Sequence, residues 1–357
     1  MNKKRITIRQ ATPGMVAGED VYNYNNQLVI SEGTVLTDKI ITRLKFYSIT
    51  DFSIILEDVK KPAVKDVSQS QITRESAEFK QFSNSFMESL QDFKGELSKI
   101  DAKDTALDVT GLINHATQIL SNSRNGIHVF DMLHCMREFD DITYVHSINV
   151  ALIANVFGHW LKLPEKDIDI LTLSGLLHDI GKLKLPTEII NKQDSLTASE
   201  YSTVKTHTIE GYQILKNKDV DLRVKYTALM HHERCDGSGY PNGFPGSKID
   251  SFAKIIAIAD VYDSMTSARV YRPALCPFEA ISVFEAEGLQ KFDPQYIMTF
   301  LQEIVQSYVG KRVRLSNQAV GEIRLINNHN LSKPIVQIGD NFIDLSKEHE
   351  LVIEAII

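Results

Sequence analysis

Hydrophobic and polar positions divide the chain into segments with different periods. Within residues 1–63, short apolar runs at 21–24 and 27–30 flank a polar pair and predict a β-hairpin. A helical spacing then predicts a short helix over 38–46, and a β-rich run predicts a strand over 52–56. This pattern indicates a small α/β module at the start of the chain.

A polar stretch at 62–72 predicts a linker, and a strongly helical pattern follows it. Large apolar side chains recur every three or four positions between residues 73 and 99, namely Phe79, Phe82, Phe86, Leu90 and Phe93. A helix with such a stripe must bury it, either against its own domain or in a dimerising or signal-transmitting contact. Two more helices are predicted over 105–121 and 127–137. Linker and helices together form a segment over 64–137.

The largest segment, residues 138–308, has a helical period almost throughout. Its predicted helices are at 144–161, 165–180, 198–215, 222–232, 252–268, 277–287 and 294–308. A period of two takes over in residues 309–357, with predicted strands at 313–315, 321–325, 335–338 and 342–345. The predicted fold class is therefore mainly α: a helical bundle with a small N-terminal α/β module and a small C-terminal antiparallel β-unit.

Composition and charge narrow the class of protein. The chain has 357 residues, 43% hydrophobic and 24% charged, as expected of a soluble globular protein with two or three domains. Its formal net charge of −7 gives no reason to expect binding to a nucleic-acid polymer. The sequence has no apolar stretch of about 18 residues, so no membrane-spanning helix is predicted. The first residues do not resemble a signal peptide. The three cysteines lack CxxC spacing and are expected to be free thiols in a reducing cytoplasm.

Two histidine-containing pairs are the strongest chemical signal. His178 and Asp179 are adjacent at the end of an apolar helix, and His231 and His232 end another predicted helix. Adjacent positions on a helix point about 100° apart, so His178 and Asp179 are not both expected to be core residues. Asp260 lies within an apolar run, where an unpaired carboxylate is costly. Imidazole and carboxylate together are typical ligands of iron, manganese, zinc or nickel, so these residues predict a metal site.

The sequence around these residues resembles the signature of the HD-GYP phosphodiesterases. The matching segments are His178-Asp179, His231-His232-Glu233-Arg234, Asp236-Gly237 and Gly239-Tyr240-Pro241, within a similarity that covers residues 138–308. The resemblance implies an HD-type helical bundle as the catalytic domain and hydrolysis of cyclic di-GMP as the activity. The N-terminal module more weakly resembles a segment often attached to such enzymes, which implies a regulatory role.

The resemblance implies two divalent metal ions, expected to be iron, with manganese, nickel or zinc as alternatives. The expected ligands, in chain order, are His146, His178, Asp179, His207, His231, His232 and Asp260. Asp179 is expected to bridge the ions, with His146, His178 and Asp260 on one ion and the other histidines on the second. A hydroxide that bridges the ions is expected to attack phosphorus. Lys182, one turn after His178, is expected to stabilise the developing charge or the leaving oxygen.

One position departs from the family. Some members carry a glutamate four residues before the first ligand histidine and hold a third ion there. This chain has Ile142 at that position, and an aliphatic side chain cannot bind a metal, so a two-metal site is expected. Asp140 and Asp141 lie close by in sequence, and a shift in register would let one of them replace the glutamate.

A loop rich in glycine and proline, residues 236–246, follows the second histidine pair. Glycine permits close backbone approach and proline stiffens turns, so the loop is either a rigid structural turn or one wall of the substrate site. Two arginines follow the helix of Asp260, and the resemblance places them on phosphate or guanine, which a planar guanidinium suits. The expected substrate contacts are Gly239, Tyr240, Pro241, Arg269, Arg272 and Asp140.

The resemblance therefore implies a metal-dependent phosphodiesterase that opens cyclic di-GMP to pGpG, and a second cut to GMP is left open. Two alternatives stay open. The substrate could be another cyclic dinucleotide such as cyclic GMP-AMP, because base choice depends on few contacts. The chain could also be a non-catalytic signalling module that binds a nucleotide or a protein. The expected setting is a bacterial cytoplasm without membrane contact, and a homodimer and a signalling protein at the loop are further candidate partners.

Overall fold

The structure, a computed structural model, describes residues 3–8, 10–22, 28–47, 49–55, 73–100, 107–123, 126–136, 142–192, 195–267, 275–348 and 350–357. A small α/β module, a large helical bundle and a small β-sheet follow one another along the described chain. The predicted class, mainly α with a small unit at each end, is confirmed. The predicted linker at 62–72 lies outside the described residues.

The N-terminal module combines short antiparallel strands with one helix. Its strands are β1 (Lys3–Thr7), β2 (Val16–Ala17), β3 (Val21–Tyr22), β4 (Leu28–Ile30) and β5 (Asp51–Ile55). Strand β5 lies between β1 and β2, and β3 pairs with β4 as the predicted hairpin, whose turn lies outside the described residues. Helix α1 (Asp38–Phe46) begins after Thr37, whose side chain accepts a hydrogen bond from the backbone of Ile40. The apolar side chains of this module form a core of their own.

The central part of the chain is helical. Its helices are α2 (Ala77–Ser98), α3 (Val109–Ser121), α4 (Gly126–Cys135), α5 (Ile142–Trp160), α6 (Glu165–Leu177), α7 (Thr187–Ile190), α8 (Ala198–Lys205), α9 (His207–Leu215), α10 (Leu222–Met230), α11 (Ser251–Thr266), α12 (Pro277–Val283), α13 (Leu289–Lys291) and α14 (Pro294–Gln306). Several helices begin at a side chain that accepts a hydrogen bond from the first turn: Ser76, Asp108, Asp221, Asp250 and Asp293. Local sequence therefore specifies many of the helix starts.

Two predicted helices are interrupted, and the interruptions touch each other. The helix predicted over 165–180 ends before a 3₁₀ turn (Ile180–Lys184), and the one predicted over 198–215 is two helices, α8 and α9. A Cβ atom on Gly181 would lie 1.8 Å from the carbonyl oxygen of His207, so the 3₁₀ turn packs directly on the start of α9. This tertiary contact accounts for two breaks that the helical period does not indicate.

A third predicted helix, over 277–287, is helical throughout its length but is not an α-helix throughout. It changes into a π-helical turn (Phe284–Gly288) that leads into α13. The N-terminal module contacts the bundle at this turn, where the Nε atom of Arg43 lies 2.9 Å from a carboxylate oxygen of Glu287. The short π turn therefore lies where the two parts of the chain meet.

The phenylalanine stripe of α2 is buried within the bundle. Phe82, Phe86, Leu90 and Phe93 belong to one continuous core with the other helices and the C-terminal sheet. The ring of Phe93 meets the ring of Tyr144 edge-on, with centroids 6.1 Å apart. Of the two burial modes considered for this helix, the described structure therefore favours packing against its own domain. In the part of the chain that the structure describes, no helix is long and apolar enough to cross a membrane.

The C-terminal part is an antiparallel sheet with the strand order β10-β6-β7-β8-β9. Its strands are β6 (Arg312–Leu315), β7 (Val320–Leu325), β8 (Ile335–Ile338), β9 (Asn341–Asp344) and β10 (Ile353–Ile356). The first four confirm the prediction, whereas β10 was not predicted and pairs with β6 at the edge. An ion pair between Lys311 and Asp131 of α4 joins the sheet to the bundle.

Candidate metal centre

The seven predicted ligands come together inside the bundle. Two lie within helices, His146 in α5 and Asp260 in α11, and five lie at helix ends: His178 and Asp179 after α6, His207 at the start of α9, and His231 and His232 after α10. Six of the seven are at most 9% exposed, and only His232 is half-buried. The cluster is therefore largely buried, and His232 is the most exposed of the seven side chains.

Two glycines permit this convergence. A Cβ atom on Gly175 of α6 would lie 2.6 Å from the Cα atom of Ala151 of α5, so these helices cross in direct backbone contact. This crossing brings the end of α6 close to His146. Gly181 brings the following turn against the backbone of His207 in the same way. Replacing either glycine would therefore force apart elements that carry predicted ligands.

The ligand atoms form two groups, and within each group they lie within 4.8 Å of one another. The four-residue group consists of Asp179, His207, His231 and His232, and the three-residue group of His146, His178 and Asp260. Each group offers enough nitrogen and oxygen donors to hold one metal ion.

Asp179 lies between the two groups. Its Oδ1 atom is 3.3 Å from the Nε2 atom of His207 and 3.6 Å from that of His231. Its Oδ2 atom is 3.4 Å from the Nε2 atom of His178 and 3.9 Å from that of His146. Each carboxylate oxygen therefore faces a different group, as a carboxylate that bridges two ions requires.

The histidine rings of the four-residue group turn lone pairs toward one another. The Nδ1 atom of His207 lies 2.7 Å from the carbonyl oxygen of Val204, and that of His231 lies 3.0 Å from the carbonyl oxygen of Thr227. A carbonyl only accepts, so each Nδ1 carries the proton of the neutral ring and each Nε2 carries a lone pair. These two Nε2 atoms are 3.2 Å apart and would repel each other unless a cation lay between them.

His178 presents its ring to the centre in the same way. Its Nδ1 atom donates to the carbonyl oxygen of Gly175 at 2.8 Å. Its Nε2 atom and the Oδ1 atom of Asp179 are buried, and within the described residues neither has a hydrogen-bond partner. Buried acceptors without partners are costly unless a ligand satisfies them, so these atoms fit a bound metal.

The protonation states of the four-residue group also suit a metal. Burial lowers the pKa of His207 to about 3 and also lowers the pKa of His231 and of His232. Burial alone would raise the pKa of Asp179, but the ammonium group of Lys182 beside it holds that pKa well below its usual range. Neutral imidazoles and an ionised carboxylate are the forms that bind metal ions.

His146 in the three-residue group is held by a carboxylate that the sequence did not single out. Its Nδ1 atom lies 2.7 Å from Oδ2 of Asp263, and its Nε2 atom lies 3.0 Å from Oδ1 of Asp260. Asp263 is 3% exposed and also accepts a hydrogen bond from Asn149 at 2.9 Å. Burial would lower the pKa of His146, but the hydrogen bonds to Asp260 and Asp263 raise it to about 9. The sequence feature that could have indicated Asp263 is its position one turn after Asp260, on the same helix face.

Glu233, which follows the second histidine pair, anchors the glycine-rich loop. It is 2% exposed, and its two carboxylate oxygens accept hydrogen bonds from the backbone of Asn242 (2.8 Å) and Phe244 (3.0 Å). A Cβ atom on Gly239 would lie within 2.5 Å of the backbone of His232 and Glu233, so only glycine fits there. No separate role was predicted for Glu233 from the sequence.

The anchored loop places Tyr240, the residue before Pro241, beside the four-residue group. The ring of Tyr240 stacks on the ring of His232, with centroids 4.6 Å apart. This position agrees with the expected wall of a substrate site.

The other expected residues have different outcomes. The Nζ atom of Lys182 forms an ion pair with Asp179, so its charge is directed at the carboxylate between the two groups. Arg269, Arg272 and Asp140 lie outside the described residues, as do Asp141 and the side chain of Ile142. The expected arginine contacts and the expected absence of a third metal ion therefore stay predictions.

A protein-family model described as an HD domain matches residues 114–296, which is more than half of the chain. This range contains all seven predicted ligands, Lys182 and the glycine-rich loop. The resemblance to HD-GYP proteins inferred from the sequence motifs is confirmed by this match and by the relatives below.

Two curated relatives have names that state an activity. A cyclic di-GMP phosphodiesterase of Pseudomonas aeruginosa is 35% identical over 204 residues, which are 57% of this chain and 49% of the relative. A 3'3'-cGAMP-specific phosphodiesterase of Vibrio cholerae is 36% identical over 167 residues, 46% of this chain and 39% of the relative. The chain thus spans half the length of these relatives or less.

One solved structure has a similar fold. An HDG"Y"P protein from Bdellovibrio bacteriovorus superposes with a TM-score of 0.53 at 17% sequence identity, covering 85% of this chain and 100% of that protein. The similarity extends well beyond the range of the family model.

Proposed function

The chain belongs to the HD domain family, and we propose that it is a metal-dependent phosphodiesterase that opens cyclic di-GMP to pGpG. The activity in the name of the Pseudomonas aeruginosa relative supports the substrate, and that similarity covers 57% of this chain. The matched range contains both groups of candidate ligands, which supports metal-dependent chemistry. A second cut of pGpG to GMP belongs to the same proposal, because the same site could accept the linear product.

One observation carries the proposal. The Nε2 atoms of His207 and His231 face each other at 3.2 Å, and an oxygen of Asp179 lies within 3.6 Å of both. Two lone pairs and a carboxylate oxygen are costly to bury this close together without a cation to bind them. We therefore propose that the four-residue group holds one ion, the three-residue group holds another, and Asp179 bridges them.

The donor set is the basis on which we propose a metal. Divalent ions at this centre would supply Lewis acidity toward the phosphoryl oxygens and an activated water for attack on phosphorus. Histidine-rich, carboxylate-bridged pairs suit iron, and we propose iron, with manganese, nickel and zinc as alternatives.

The residues around the centre orient the ligands and the substrate. Lys182 forms an ion pair with Asp179 and holds it ionised, so we assign it a positioning role in addition to the expected charge stabilisation. Tyr240 offers its ring as a wall for a base, and Glu233 keeps the loop of Tyr240 in place. Arg269 and Arg272 are proposed to bind phosphate or guanine, from the motif alone.

A second candidate substrate has specific support. The Vibrio cholerae relative is named for specificity toward 3'3'-cGAMP, and its identity to this chain, 36%, is as high as that of the cyclic di-GMP enzyme. The two substrates differ in one base, so a few pocket contacts decide between them.

The test is a side-by-side hydrolysis assay on the full chain. Protein purified without chelator is analysed for metal content, then offered cyclic di-GMP and 3'3'-cGAMP at matched concentrations, with products separated by chromatography. We expect two metal ions per chain and a higher kcat/KM for cyclic di-GMP. A higher kcat/KM for 3'3'-cGAMP would favour the alternative substrate. Nucleotide binding by a metal-free protein that hydrolyses neither would favour the non-catalytic module.

A further inference from the structure

We propose that Lys205 binds the second phosphate of the cyclic dinucleotide, the phosphodiester that is not cleaved. This inference rests on the proposed function and deepens it, because it assigns a substrate contact that the sequence motifs did not indicate. Its basis is a lysine held against two tyrosine rings at the edge of the metal centre, with Tyr201 on one side and Tyr240 on the other.

The ring of Tyr240 lies between Lys205 and the candidate metal centre. Its Nζ atom lies 5.1 Å from the centroid of the Tyr201 ring and 5.8 Å from that of Tyr240. The Tyr240 ring stacks on His232 of the four-residue group and meets the ring of His207 edge-on. A single aromatic ring therefore separates the ammonium group from two of the candidate ligands.

The backbone of this segment is also fixed to the centre. Lys205 is the last residue of α8, and the carbonyl oxygen of the preceding residue, Val204, accepts the Nδ1 proton of His207. The start of α8 is fixed by a capping box between Thr197 and Glu200. The lysine is therefore carried by a short helix whose two ends are both held, rather than by a free surface loop.

Lys205 differs from Lys182 and Arg234, the other cations near the centre, because its Nζ atom has neither a counter-ion nor a hydrogen-bond acceptor within the described residues. Lys182 is paired with Asp179. The Nη1 atom of Arg234 donates to the backbone carbonyls of His231 and Glu233, and its guanidinium lies over the ring of Phe292 at 5.0 Å. Within the described residues, by contrast, no carboxylate lies within 4.0 Å of the Nζ atom of Lys205.

The substrate chemistry supplies the missing anion. A cyclic dinucleotide carries two phosphodiesters in one ring, so when one lies at the metal centre the other must lie close by. The chain has a net charge of −7, which would repel that second anion unless a local cation faced it. Tyrosine faces attract an ammonium group and limit its rotamers without neutralising it, so Lys205 is positioned and still able to bind phosphate.

The test compares substrates with one and two phosphates. Full-length Lys205→Met and Lys205→Arg proteins are assayed with cyclic di-GMP and with GpG, a linear dinucleotide that has a single phosphodiester. We expect Lys205→Met to raise the KM for cyclic di-GMP about tenfold or more, the effect of losing one charge-assisted contact. The rise in KM for GpG should be several times smaller, and Lys205→Arg should recover most of the loss. Metal content should equal that of the unmodified protein.

Lys216→Met is the matched control. Lys216 is an exposed lysine beyond α9, and within the described residues its Nζ atom donates a hydrogen bond to Gln213 alone. Equal rises in KM for both substrates, or a KM unchanged for both, would overturn the proposal. Loss of metal in Lys205→Met would also overturn it and assign the lysine a structural role. If the unmodified protein hydrolyses neither substrate, the proposed function itself fails, which is a different result from an insensitive lysine.

Discussion

The two ligand groups use the same residue types but are held in different ways. In the four-residue group, His207 and His231 donate their Nδ1 protons to backbone carbonyls, and burial keeps the rings neutral. In the three-residue group, the Nδ1 atom of His146 is hydrogen-bonded to the carboxylate of Asp263, and the pKa of His146 is raised to about 9. One group is therefore ready to bind a cation, whereas the other holds a proton that must leave first.

This difference teaches that two ions in one centre need not bind with equal ease. A neutral histidine binds metal without releasing a proton, but a protonated one competes with the metal for the same nitrogen. Once an ion is bound, a carboxylate behind the imidazole orients the ring and strengthens it as a ligand. The three-residue group should therefore be the more sensitive of the two to pH and to changes in the residues behind the ligands.

The largest effect is expected from Asp179→Ala, because this residue serves both groups. We expect loss of both metal ions and no detectable hydrolysis of cyclic di-GMP, measured by elemental analysis and by product chromatography. Asp169→Ala, an exposed aspartate on α6, is the control and should retain both ions. Two ions and normal turnover in Asp179→Ala would show that the carboxylate does not bridge the groups.

The Asp263→Asn variant should affect metal binding by the three-residue group and leave the four-residue group unchanged. The amide keeps the size of the side chain but removes the charge behind His146, and outer residues of this kind contribute about 10- to 100-fold to metal affinity. We expect the weaker of two titrated metal sites to lose affinity by that factor while the tighter site is unchanged. The readout is metal titration of protein stripped with chelator. Equal weakening of both sites would mean that Asp263 supports the bundle as a whole.

The pH dependence of metal binding should also distinguish the two ligand groups. Because the pKa of His146 is about 9 in the metal-free protein, its ring is protonated at neutral pH, and affinity should fall about tenfold for each pH unit below that value. The histidines of the four-residue group have lowered pKa values, so their site should change little between pH 6 and 8. Titration calorimetry in buffers of different ionisation enthalpy would count the protons released. Identical proton release at both sites would contradict the comparison.

The smallest effect is expected from Glu233→Gln, which acts on the loop beside the four-residue group. A glutamine offers one acceptor oxygen, so one of the two backbone N–H groups, Asn242 or Phe244, loses its acceptor. An unsatisfied buried donor costs about 1–3 kcal/mol, which should lower the midpoint of denaturant unfolding. We also expect a moderate rise in KM with metal content unchanged. A metal loss as large as that of Asp263→Asn would show that the loop supports the ligands directly.

Much of this architecture was accessible from the sequence. The period of the apolar positions gave the bundle, the buried stripe of α2 and four strands of the C-terminal sheet. The paired residues His178-Asp179 and His231-His232, together with the lone Asp260, indicated the metal centre. These signals are local: a helix end, an adjacent pair or a polar residue in an apolar run can be recognised without knowing what lies opposite.

Only the tertiary structure decided which atoms face one another. The break between α8 and α9 depends on the backbone contact of Gly181 with His207, and the role of Asp263 depends on His146, 117 residues away. Lys205 looks like any exposed lysine until Tyr240 is placed beside it. Side-chain period reports which face of an element is buried, but a contact between distant elements depends on how whole helices cross. That crossing is set by close packing at a few positions, such as Gly175 against Ala151, which no local pattern encodes.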